Sequence, residues 1–84
     1  MISCVIIDDE RQAREVLQKL IKRYFKDRII VKAMAGSVEE GVKQIHKHNP
    51  QLVFLDIEMP HENGFGLFKY FDHFHFDVVF TTAY

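Results

Sequence analysis

Three aspartates and a pair of threonines are the residues of this chain whose types and places could do chemistry. Asp8-Asp9-Glu10 follows the apolar run Cys4-Val5-Ile6-Ile7. Asp56 follows Leu52-Val53-Phe54-Leu55, and Thr81-Thr82 close the run Val78-Val79-Phe80. Carboxylates gathered into one small volume repel each other, and each raises the pKa of its neighbours. A compensating cation relieves that repulsion. An all-oxygen set of two or three carboxylates suits a hard divalent ion such as Mg²⁺, which keeps several waters and commonly partners phosphate. Each piece also has a plainer reading. Asp8-Asp9-Glu10 serves equally well as a helix N-terminus, where acidic groups are favourable. Thr81 and Thr82 are good strand formers. Asp56 is harder to explain away, because a carboxylate directly after four large apolar residues is no ordinary solvated side chain. What joins all of them is position, at the carboxyl ends of strands.

The elements that would carry these residues alternate along the chain. Residues 4–7 predict a strand covered on both faces, since the run is apolar throughout. Over residues 11–24, Ala13, Val16, Leu17, Leu20, Ile21 and Tyr24 recur at steps of three and one, a single stripe of an α-helix. Lys22 and Arg23 near its end suit the helix dipole. Ile29–Ala35 predicts a second strand. Gly36 then turns the chain into Ser37-Val38-Glu39-Glu40, which has the form of a capping box. The helix it opens carries Val38, Val42 and Ile45 inward and stops at Asn49-Pro50, because proline cannot continue it. Leu52–Leu55 predicts a third strand, and residues 57–63 a loop. A helix is expected around residues 64–74, with Leu67, Phe68 and Phe71 at helical spacing, and a fourth strand over 78–82. Met34, Met59 and the phenylalanines Phe65, Phe68, Phe71, Phe74 and Phe76 read mainly as core or helix packing. Strands alternating with helices imply an α/β domain with a parallel sheet and right-handed crossovers. Ligands of such sheets bind beyond the carboxyl ends of the strands, where the strand order reverses. If the first and third strands are neighbours, three aspartates converge there.

Composition limits the alternatives. With 84 residues the chain is at most one small domain, 1–84, and a domain of that size buries only about 60–65% of its unfolded surface. Eleven basic against twelve acidic residues give a net charge of -1, which argues against binding nucleic acid or a membrane through bulk charge. The lone cysteine, Cys4, cannot form an internal disulfide, and a reducing compartment is expected. No basic leader or long apolar stretch is visible, so neither a signal peptide nor a membrane span is expected, and the cytoplasm is the default location. No GxGxxG or GxxxxGK[ST] loop follows the first strand. Carboxylates stand there instead, and they repel phosphate unless a metal intervenes. His46, His48, His61, His73 and His75 form no zinc set with Cys4 and read as surface or boundary residues.

These residues resemble a known family. The apolar strand with Asp8-Asp9-Glu10, then Leu55-Asp56-Ile57-Glu58-Met59-Pro60 with Gly64, then Phe80-Thr81-Thr82-Ala83, is similar to the receiver domains of two-component response regulators. The Phe-Thr-Thr-Ala-Tyr ending looks most like regulators of the LytTR type. The resemblance covers the whole chain and implies a flavodoxin-like (CheY-like) doubly wound parallel sheet with strand order 2-1-3-4. It implies that Asp56 is the phosphoacceptor, served by a sensor histidine kinase. Asp9 would ligate Mg²⁺ directly, Asp8 through a water, and the backbone carbonyl of Glu58 would complete the protein's share of the shell. Thr82, next to Ala83, would bind a phosphoryl oxygen and move on activation, with Thr81 the weaker candidate. Met59-Pro60 and Gly64 would shape the loop.

One departure tempers the match. Receivers continue with a fourth helix, a fifth strand ending in lysine, and a fifth helix, none of which lies within residues 1–84. The fourth strand would then be an exposed apolar edge open to pairing with another chain, and a homodimer through that edge is expected. DNA would be reached only through an output domain absent from this chain, and no membrane partner is expected. Two rivals remain at this level. One is an inert receiver-like interaction module that is never phosphorylated. The other is a Mg²⁺-dependent phosphohydrolase working through an aspartyl-phosphate, although such enzymes commonly show Asp-x-Asp where this chain has adjacent Asp8-Asp9. As a phosphoacceptor, the chain would catalyse at most its own phosphorylation and dephosphorylation.

Overall fold

Apolar runs of four or more residues need cover on both faces, and the chain supplies it by alternating strand and helix. The computed structural model describes residues 1–81. Its elements are β1 (Ile2–Ile7), α1 (Arg11–Phe25), β2 (Ile29–Ala35), α2 (Val38–His48), β3 (Leu52–Leu55), a 3-10 helix (Gly64–Tyr70) and β4 (Asp77–Phe80). The strands are parallel and lie in the order β2-β1-β3-β4, as the resemblance implies.

β1 shows the two-sided burial directly. Cys4 and Ile6 pack with Ile21 and Leu17 of α1 on one face. Val5 and Ile7 pack with Val38 and Ile45 of α2 and with Leu67 of the 3-10 helix on the other. α2 lies so close to β1 that a Cβ on Gly41 would collide with the Ile7 side chain, its Cγ1 only 2.9 Å away. The helix starts where Ser37 Oγ accepts from the Glu40 N–H at 3.1 Å, which is one half of the expected capping box. It ends at Asn49, left-handed at φ 46°, whose N–H closes on the Ile45 carbonyl before Pro50.

Four expectations need correction. The predicted helix over residues 64–74 is a 3-10 helix that stops at Tyr70. Two glycines among its first three residues, Gly64 and Gly66, weaken an α-helix, and Asn63 Oδ1 takes the Phe65 N–H at 2.9 Å. Phe71 then turns extended and stacks on His46 with ring centroids 5.2 Å apart. Phe65 and Phe74, expected mainly in packing, stand exposed, though each keeps an aromatic neighbour. The stripe on α1 is only half used. α1 meets the sheet along its Leu17 and Ile21 edge, and Val16, Leu20 and Tyr24 on the other edge are exposed. Finally, β4 ends at Phe80 rather than at residue 82, and its Val79 and Phe80 are exposed. The histidines lie at the surface or boundary as expected.

Candidate functional site

All four strands finish at one level. Ile7 is in register with Ala35 on one side and Leu55 on the other, and Leu55 is in register with Phe80. The residue after each strand therefore stands at the same rim. Backbone bonds carry the ladder one step beyond the last pairs. The Asp8 N–H donates to Ala35 O at 3.0 Å, the Asp56 N–H to Ile7 O at 2.9 Å, and the Thr81 N–H to Leu55 O at 3.0 Å. Asp8, Asp56 and Thr81 are held in a row by main-chain bonds alone, whatever their side chains do.

The side chains then converge. Carboxylate oxygens of Asp8, Asp9 and Asp56 all lie within 4.8 Å of one another, the one such cluster of potential metal ligands among the described residues. Asp8 and Asp56 are each only 8% exposed, which is rare for carboxylates without a cationic partner. Burial pushes both pKa values up, and the neighbouring acids add to it: Asp9 and Glu10 act on Asp8, and Asp8 and Asp9 on Asp56. One backbone amide opposes the rise at each residue. Glu10 N–H donates to Asp8 Oδ1 at 2.9 Å, and Glu58 N–H to Asp56 Oδ1 at 3.1 Å. Those bonds also fix which way each carboxylate faces. Three acids, oxygen donors only, and charge that burial leaves uncompensated make a donor set that fits Mg²⁺.

The loop after β3 is folded back tightly on Asp56. Gly64 N–H donates to Ile57 O at 2.7 Å. A Cβ on Gly64 would collide with the Asp56 carbonyl oxygen and come within 2.9 Å of Ile57 Cα. Only glycine allows that approach. Glu58 is exposed in this loop, directly beyond Ile57, and its side chain does not join the acidic cluster.

Of the residues singled out by sequence, the structure brings Asp8, Asp9 and Asp56 together. The Glu58 side chain stays outside that cluster while its N–H binds Asp56, and Thr82 lies outside the described residues. Thr81, the weaker of the two threonines by sequence, lines a cavity of about 370 Å³ with Asp8 and Leu17. Its buried Oγ1 has no hydrogen-bond partner among the described residues. Sequence reasoning missed Arg14. Its Nη1 donates to the main-chain oxygen of Asp8 at 2.8 Å. Nothing in residue spacing distinguishes that contact from an ordinary cation on a helix surface.

Comparison with known proteins adds the family context. Residues 4–84 match the response regulator receiver domain model. An uncharacterized response regulatory protein of Vibrio cholerae is 42% identical over 85 residues, which cover all of this chain and 35% of that protein. The sensory transduction protein LytT of Bacillus anthracis is 34% identical over 86 residues, again covering all of this chain and 34% of the relative. Among solved structures, a LuxR-family DNA-binding response regulator from Staphylococcus aureus superposes with a TM-score of 0.83 at 27% identity, covering 100% of this chain and 70% of that one. The chain thus spans about a third of the length of these two curated relatives.

Proposed function

This chain belongs to the response regulator receiver domain family, and from that premise we propose that it is a phosphoacceptor in which Asp56 takes a phosphoryl group from the phosphohistidine of a sensor kinase. The observation that carries the proposal is the buried Asp56 carboxylate, held by the Glu58 N–H and set within 4.8 Å of two further acids. With Oδ1 held by that amide, the second carboxylate oxygen would attack phosphorus. A P–O bond forms to Asp56 as the P–N bond to the donor imidazole breaks, and the bonding pair leaves with the imidazole nitrogen. The product is an acyl phosphate.

Such transfers pass through a loose transition state, so the protein's share is positioning and charge compensation rather than bond-making. Asp8, Asp9, Asp56 and the Glu58 carbonyl would hold Mg²⁺, which supplies the neutralisation that three carboxylates cannot. Asp9 and Asp8 would hold such an ion beside the acceptor, and Gly64 keeps the loop folded against Asp56. Thr82, next along the chain after Thr81, takes a phosphoryl oxygen once Asp56 is modified. The two curated relatives are about three times as long, and any response or DNA contact would pass through a segment beyond the matched region.

The test is direct. The chain is incubated with Mg²⁺ and acetyl phosphate, and intact mass is read before and after hydroxylamine. A hydroxylamine-labile phosphoryl adduct that is lost in Asp56→Asn and in EDTA is expected. A folded, Mg²⁺-binding chain that gains no adduct would favour the inert module instead.

A further inference from the structure

Arg14 closes the first turn of α1, half-buried, six residues beyond the carbonyl it binds. That carbonyl belongs to the peptide joining Asp8 to Asp9, so its orientation sets the direction from which the Asp9 side chain leaves the backbone. The turn is pinned twice: Arg14 Nη1 holds the Asp8 oxygen at 2.8 Å, and Asp8 Oδ1 holds the Glu10 N–H at 2.9 Å. The guanidinium also crosses to the next loop. A Cβ built on Gly36 would lie 3.3 Å from Nη1, so the short residue after β2 leaves the guanidinium its room.

What Arg14 does not do is equally informative. Among the described residues, the ion pair within 4.0 Å is Arg11 with Glu15, and Arg14 pairs with no carboxylate. An arginine that neutralised the acids would compete with a cation for their oxygens. This one spends its charged donor on a backbone oxygen and leaves the carboxylates available. A hydrogen bond from a charged donor is also stronger than one between neutral groups.

We infer that Arg14 is a positioning residue of the acidic site: through the Asp8 carbonyl it holds the Asp8–Asp9 peptide so that the Asp9 carboxylate stays where a divalent cation needs it. The inference rests on the proposed cation site for its consequence, though not for its geometry. It predicts a sign that charge alone cannot give. Removing a positive group beside three carboxylates should strengthen cation binding by electrostatics, whereas loss of positioning weakens it.

The experiment uses the 84-residue chain with Arg14→Gln, Arg14→Lys and Arg11→Gln, the last removing an equal charge one turn away without touching the carbonyl. Mg²⁺ affinity is read by calorimetric titration, and exchange of the Glu10 amide is read by NMR in the metal-free state. Arg14→Gln should weaken Mg²⁺ binding about tenfold and speed Glu10 exchange by a similar factor, as expected for one charge-assisted hydrogen bond. Arg14→Lys should recover part of both, and Arg11→Gln should leave both unchanged or bind slightly tighter. Equal or tighter Mg²⁺ binding by Arg14→Gln, with its fold intact by thermal melting, would overturn the inference. So would unchanged Glu10 exchange. Should the parent chain take up no Mg²⁺, the proposed cation site fails, and Glu10 exchange still decides whether Arg14 holds the turn.

Discussion

Asp56→Asn removes one charge from a crowded trio while keeping the shape of the side chain and an Oδ1 that can accept the Glu58 N–H. The substitution therefore isolates electrostatics from packing. Two unit charges at the 4.8 Å limit of the cluster repel by about 3.5 kcal/mol at an effective dielectric near 20, and by about 0.9 kcal/mol in bulk water. Asparagine relieves two of the three pairs, those with Asp8 and Asp9. Both Asp8 and Asp56 are buried at 8% exposure, so the true value lies above the bulk-water figure. Relaxation of the loop brings it below the other. With two pairs relieved, a gain of about 2–3 kcal/mol is expected without metal, equivalent to a rise in Tm of about 8–24 °C for a domain this size. Thermal melting in EDTA at neutral pH measures it. Mg²⁺ should then reverse the ranking of responses. At about a hundred times its Kd it adds about 2.7 kcal/mol to the parent chain, and it adds less to a variant that has lost a ligand. A metal-free variant no more stable than its parent, or equal stabilisation of both by Mg²⁺, would refute the claim that these carboxylates are unfavourably close and wait for a cation.

Four more outcomes follow from the same geometry. Gly64→Ala should cost about 1–3 kcal/mol, because its Cβ meets the Asp56 main chain, and it should slow phosphoryl uptake. Gly66→Ala, which meets only the Glu62 side chain, should be far milder, with melting and adduct formation read on both. The pH dependence has a fixed sign. Asp8 and Asp56 have folded pKa values raised above 3.8, so their stabilising contribution is whole below that pH and is lost as pH rises through the folded values; the metal-free advantage of Asp56→Asn should therefore grow with pH across that window. Cys4 is fully buried with its thiol pushed up to about 11, so a thiol reagent at mildly alkaline pH should react only as fast as the chain unfolds. At the exposed edge, β4 should pair two copies of the 84-residue chain, and Val79→Lys should return it to monomer in sedimentation; a parent chain that sediments as monomer would sink that idea.

The fold was legible where local chemistry and tertiary packing agree. Leu52–Leu55 was readable to the residue, because a continuous apolar run has few uses other than a doubly covered strand. Ile29–Ala35 was readable from its β-branched start, although Lys32 interrupts it and Ile30 is exposed at the sheet edge. Ser37 and Asn49-Pro50 marked the ends of α2 because caps depend on side chains a few residues away. Legibility failed where the decision was global. Leu67, Phe68 and Phe71 have helical spacing, but Gly64 must approach Asp56 and Phe71 must reach His46, and those two demands cut the helix short. Periodicity on α1 announced a stripe without saying which edge of it the sheet would use, so Val16 and Tyr24 read as inward and stand exposed. The three acids could be found because each directly follows an apolar run, or lies one residue beyond. Arg14 could not be found that way, since its partner is a backbone oxygen and carries no sequence signal.

Parallel pairing explains why the acids need no side-chain scaffold to meet. With Ala35, Ile7, Leu55 and Phe80 at one level, the hydrophobic core fixes the position of Asp8 and Asp56 before any cation arrives. A one-residue slip of β3 would carry Val53 and Leu55, both fully buried, onto the opposite face. Both faces are covered, so a slip would disturb the packing of all four β3 residues, at about 1.5–3 kcal/mol for each large side chain, a cost comparable with or above the Coulomb repulsion among the carboxylates. The core therefore wins, and the charges are forced together. Acid proximity is thus set by packing, and the repulsion it leaves would be available to drive cation uptake. In this arrangement the binding energy for a divalent ion would be stored by the register of the sheet, and the loops would hold only its direction: Arg14 on the Asp8 carbonyl and Gly64 under the Asp56 carbonyl.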